Sequence, residues 1–215
     1  MVLHRRAREA VVLFCLFVVP GLLAPGDVGQ LAIGNVIFAS IIRNIAFALL
    51  ILYLADIQGE RIDLVGVERG VPIGGISVFL GLFGISLATS AATGGITGEV
   101  PDSLFREVSF GGDGPVRAMM LGAMMLSVAW VEELFFRGYL LLRIRQFGAS
   151  PFVAVVASAL LFSVGHGYQG IPALVFAFSA GLFLGILWIR RPGIVSFTLG
   201  HGAYNIVALL LVNTR

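Results

Sequence analysis

The 215-residue chain has no lysine; all fourteen of its basic residues are arginine. It has one cysteine, and only 12% of its residues are charged against 58% that are hydrophobic. Each shortage excludes something. With so little charge the chain cannot cover a soluble domain of this length with polar surface, so a polytopic membrane protein is expected. A net charge of +2, carried by dispersed arginines, argues against a nucleic-acid partner. Cys15 stands alone in an apolar run, which leaves no disulfide framework and no cysteine metal site within one chain. The missing lysine carries no functional meaning.

What the chain has in quantity is apolar sequence. A helix that crosses the hydrocarbon needs about 20 apolar residues, and seven candidate spans emerge, at 10–24, 31–55, 72–92, 116–142, 151–167, 172–189 and 193–212. The first and fifth are short, so the count runs from six to eight. The expected fold class is all-α, a polytopic transmembrane helical bundle forming a single integral-membrane domain over residues 1–215. His4, Arg5, Arg6 and Arg8 ahead of the run Val11 to Leu23 resemble a signal peptide. No small-x-small cleavage pattern follows, so the run is expected to stay as a first span. Arg5, Arg6, Arg8, Arg61, Arg69, Arg143, Arg145, Arg190 and Arg191 fall on one side, and Arg106, Arg117 and Arg215 on the other. That bias predicts a cytoplasmic N-terminus in the plasma membrane. Residues 56–71 and 93–115 read as solvated loops; the second holds "FGGDGP" and is suited to gate access.

Ionisable side chains inside spans are rare and are functional candidates by default. Here they are Arg43, Glu132, Glu133, Arg137, His166 and His201, joined by the amides of Asn44 and Asn205. Successive residues of a helix turn by about 100°, so Glu133 and Arg137, four apart, share a face and can pair. Glu132 points away from that pair. It is the free carboxylate, and a carboxylate in low dielectric suits a general base. The plainer alternative pairs both glutamates with Arg137 and Arg43. In "FSVGHG", His166 lies between glycines that permit close backbone approach; a satisfied interfacial histidine is the alternative. In "GHGAYN", His201 and Asn205 share a face and can aim two donors at one oxyanion, or can serve as polar glue between helices. Arg43 and Asn44 have no assigned role. Three separated helices together supply a base, a proton carrier and oxyanion donors, which favours catalysis over unrelated contacts.

"EELFFRG", "FSVGH" and "HGAYN" resemble, in order, the three motifs of the CPBP family of CAAX proteases and bacteriocin-processing enzymes, also called Abi proteins. The resemblance implies an intramembrane endopeptidase with a catalytic core over about 116–212. Glu132 and His166 would activate the attacking water, His201 and Asn205 would stabilise the oxyanion, and Glu133 with Arg137 would support the site. It implies membrane lipid and a peptide or prenylated, lipid-anchored protein as partners. No metal cofactor is expected: the zincin signature H-E-x-x-H is absent, and zinc would need histidines and glutamates from three helices to converge. A non-catalytic scaffold or bacteriocin-immunity protein that keeps the same fold is the alternative. A small transporter is disfavoured, because no internal repeat is visible.

One expectation runs against convergence. At about 1.5 Å per residue, straight spans place Glu132 toward the cytoplasm and His166 nearer the outside. The gap is on the order of 10–15 Å, which tilted or broken helices would have to close.

Overall fold

The computed structural model describes residues 2–22, 33–60, 71–93 and 114–213, and among them there is helix and no strand. The helices are α1 (Val2–Leu22), α2 (Ile33–Asp56), α3 (Val71–Ala92), α4 (Gly114–Glu133), α5 (Leu141–Gln146), α6 (Pro151–Val164), α7 (Ile171–Arg190) and α8 (Ile194–Asn213). A π-helical segment, Leu134–Leu140, joins α4 to α5, so the two run as one rod. Much of the expected loop 56–71, the "FGGDGP" loop, and Arg61, Arg69, Arg106 and Arg215 lie outside the described residues.

Five of the seven rods are long and apolar enough to cross a membrane, the α4–α5 rod among them. The other two are the ones the sequence marks as short. Helix α1 carries Arg5, Arg6, Arg8 and Glu9 in its first half. Helix α6 has 14 residues, about 21 Å of rise against about 30 Å of hydrocarbon. Large apolar side chains stand on the outside, Phe152 and Ile73 both 71% exposed. That is how a surface facing lipid is built. The protein is an all-helical membrane bundle.

Local chemistry accounts for the element ends near the centre. Ser150 caps α6, its hydroxyl accepting from the Val153 N–H at 3.3 Å, and Pro151 takes the first helical position. In the π segment the Phe136 carbonyl accepts the Leu141 N–H five residues on. It also accepts the buried Ser158 hydroxyl of α6 at 3.0 Å. An inserted π turn needs such outside support. Aromatic rings fill the space around it: Phe17 of α1 stacks on Phe47 of α2 at 5.1 Å, and Phe136 meets Phe162 edge-on at 5.0 Å. Helices α6 and α7 approach closely where a Cβ on Gly181 would fall 2.9 Å from the Ala159 Cα, the small-residue contact that membrane helices favour.

At the end of the α4–α5 rod, Arg143 corrects an expectation. Read as a loop arginine, it is fully buried. Its guanidinium lies 4.5 Å from the Tyr139 ring centroid, pairs with Glu60, and reaches Gln58 at 3.1 Å and Glu9 at 3.3 Å. Gln146 and Arg6 reach Glu60 at 2.8 and 3.1 Å. The helix runs one turn past the expected span end, and acids from α1 and the end of α2 compensate the charge there.

Burial pushes the Glu60 carboxyl up, but hydrogen bonds from Arg143 and Gln146 and the charges of Arg143 and Arg6 outweigh it and hold the group below its usual 4.5. Its stabilisation is therefore complete above pH 4.5 and is lost as pH falls through the lower folded value. Thermal unfolding in detergent should show a shallower loss of stability below pH 4.5 for Glu60→Gln than for wild type. Arg143→Ala, which removes the buried cation but leaves Arg6 and Gln146 on Glu60 and Gln58 on Glu9, should cost about 1–3 kcal/mol.

Candidate active site

Glu133 has no exposed surface, yet it carries a carboxylate. Two groups compensate it, both through Oε1: His201 Nδ1 at 2.7 Å and Arg137 Nη1 at 3.3 Å. The Glu133–Arg137 pair anticipated from their spacing is present. His201 is the closer partner, and it comes from α8. Arg137, itself 2% exposed, is backed by α6, with its guanidinium 4.6 Å from the Phe162 ring centroid.

Phe162 also holds the second histidine. His166 Nδ1 lies 2.9 Å from the Phe162 carbonyl, and the two rings sit 4.6 Å apart. A carbonyl only accepts, so Nδ1 carries a proton, and in the tautomer with that proton alone the lone pair is on Nε2. The phenylalanine of the Phe-x-x-x-His motif, which spacing alone leaves without a role, thus connects Arg137 to His166.

Glu132 approaches the other nitrogen of the same His201 ring. Its Oε2 is 3.7 Å from His201 Nε2, beyond hydrogen-bonding reach and within range of a group that bonds to both. Glu132, His166, His201 and Asn205 all line one cavity of about 460 Å³, with walls mostly of apolar side chains such as Leu82, Met125 and Phe176. Glu133 and Arg137 stand behind that lining. Two residues left unassigned by sequence are also placed: Arg43 lines the cavity, and so does Asn44, whose amide donates to the Ser127 hydroxyl of α4 at 3.1 Å. Tyr168 and Gln169, in the 3-10 turn Gly167–Gln169 after α6, line it as well. No pattern in the sequence marks that turn.

The expected gap between Glu132 and His166 does not arise. The count carried the fifth span straight on through residue 167, whereas α6 ends at Val164. Because α6 stops at Val164, His166 sits in an irregular turn that lines the cavity. Such backbone is tolerated in a membrane bundle where it lines a protein cavity.

The glycines beside His201 explain how α8 comes so close. A Cβ on Gly200 would collide with the Gly75 carbonyl oxygen of α3 and lie 2.6 Å from Val78 Cβ. One on Gly202 would lie 2.6 Å from Leu126 Cδ2 of α4. Helix α8 is thus wedged between α3 and α4, which brings the His201 ring to Glu133.

Residues 115–207 match the family model described as Type II CAAX prenyl endopeptidase Rce1-like. The match spans the three motifs and less than half of the chain; α1, α2 and α3 lie outside it. No curated protein and no solved structure matches the chain. The match supports the CPBP/CAAX protease family for the motif-bearing half, in agreement with the motif resemblance.

Gly200→Ala should displace α8 from α3, because the obstacle is backbone and cannot swing aside. A loss of about 1–3 kcal/mol is expected in thermal unfolding. Gly202→Ala, which meets chiefly a leucine methyl, should cost less.

Proposed function

We propose that this chain, whose residues 115–207 match the CAAX prenyl endopeptidase family, is an intramembrane endopeptidase that hydrolyses a peptide bond with protein groups alone. One observation carries the reading: Glu132, His166, His201 and Asn205, from three separate segments, line one cavity.

Glu132 is the general base. It takes a proton from a water that the His166 Nε2 lone pair orients, and the water oxygen attacks the scissile carbonyl carbon. The carbonyl oxygen becomes an oxyanion. His201, doubly protonated, gives Nδ1–H to Glu133 and Nε2–H to that oxyanion, and the Asn205 amide donates beside it. Glu132 then returns its proton to the leaving amine as the C–N bond breaks. Glu133 and Arg137 position His201 and do not touch the substrate.

The apolar walls favour substrates that present apolar residues or a lipid anchor, prenylated proteins included. The arginine distribution supports a cytoplasmic N-terminus, and the plasma membrane is the proposed location. The scaffold reading has no use for a second histidine in the same cavity as a carboxylate that meets His201 only at 3.7 Å, and an amide.

Purified protein in detergent, offered a panel of prenylated and unprenylated peptides, tests this. Glu132→Gln should lower kcat by about 10²–10⁴, and Asn205→Ala by about 10²–10³. Exhaustive chelation should leave cleavage unchanged. Cleavage that survives both Glu132→Gln and His166→Ala would sink the assignment.

A further inference from the structure

Arg43 is an exposed guanidinium near the middle of α2, a helix apolar and long enough to span the membrane. It lies about 15 Å along the axis from Ile33 and about 20 Å from Asp56, too far for its side chain to reach either membrane surface. Among the described residues no carboxylate pairs with it. Glu132 lines the same cavity, yet no ion pair joins the two. An unpaired cation at this depth is costly and persists where it has a ligand to meet.

The geometry points to Arg43 as the anchor for a carboxylate of the peptide substrate, held in the cavity a short distance from the Glu132 and His166 centre. This rests on the proposed peptidase reading and adds to it a charge requirement on the substrate. A lipid phosphate stays at headgroup level and does not reach this depth. A peptide supplies its carboxylate from the C-terminus or from an Asp or Glu side chain. The guanidinium fork matches either one bidentately, and the apolar walls strengthen the pair. The binding position would fix how far the cut falls from the anchored carboxylate.

Binding is the readout, so that failure of cleavage and failure of the anchor are separable. The Glu132→Gln protein is titrated with three fluorescent apolar peptides: one with a free C-terminus, its C-terminal amide, and an amide carrying one internal Asp. The free acid should bind about 10- to 100-fold more tightly than the amide, as a charge-assisted pair implies. Adding Arg43→Gln should remove that advantage while leaving the thermal midpoint no lower, and Arg43→Lys should keep part of it. Preference for the internal Asp peptide instead supports the anchor and assigns the carboxylate to a side chain. Equal binding of acid and amide overturns the proposal, as does an Arg43→Gln protein that loses amide binding too. Either result leaves a Glu132-dependent cleavage standing.

Discussion

A carboxylate with no exposed surface has to be compensated, and Glu133 sets this constraint for the whole bundle. An ion removed from water costs several kcal/mol unless partners replace the lost solvation. Arg137 supplies one partner from the next helical turn, and His201 supplies the other from α8. For His201 to reach it, α8 must lie deep between α3 and α4, where a Cβ at position 200 would strike the α3 backbone and one at 202 would press on Leu126. For Arg137 to stay buried it needs the Phe162 face, which fixes α6 against the π segment. Three motifs distant in sequence are thus tied together by one charge.

Between helices in lipid the hydrophobic effect is weak, so close packing and polar contacts decide which faces meet. The α4–α5 rod shows this twice. At its middle lies the Glu133 network, and at its end Arg143 gathers Glu9 from α1 and Gln58 and Glu60 from the turn after α2. The wide π turn lies between them, with its carbonyl at Phe136 held by Ser158. Segments that carry none of the motif residues therefore still hold the rod that carries Glu132, Glu133 and Arg137.

The cavity beside this framework keeps polar groups on few points of an apolar wall. Glu132 and the free nitrogen of His166 face it without the tight pairing that immobilises Glu133. The adjacent glutamates separate into a buried support and an open carboxylate because neighbouring residues leave the helix in different directions. The heptapeptide showed the difference in direction around the helix, and not that both carboxylates approach His201. The angle used for it was that of an α-helix, while the chain turns π-helical directly after Glu133. The order of the two faces survives because the pair begins before the wider turn.

Composition alone determined the solvent: a chain this apolar folds in lipid, and helices follow because backbone groups there have to bond within their own segment. Spacing determined the Glu133–Arg137 pair, since four residues on one helix have fixed geometry. The sequence could not show that Arg143 is buried rather than looped, that Phe162 serves Arg137 and His166 together, or that His201 turns Nδ1 to Glu133. These are contacts between segments far apart in the chain. They depend on where a 14-residue helix stops and how closely two glycines let another approach. Local periodicity fixes direction around one helix axis; only packing fixes the distance between axes, and the chemistry of this cavity depends on that distance.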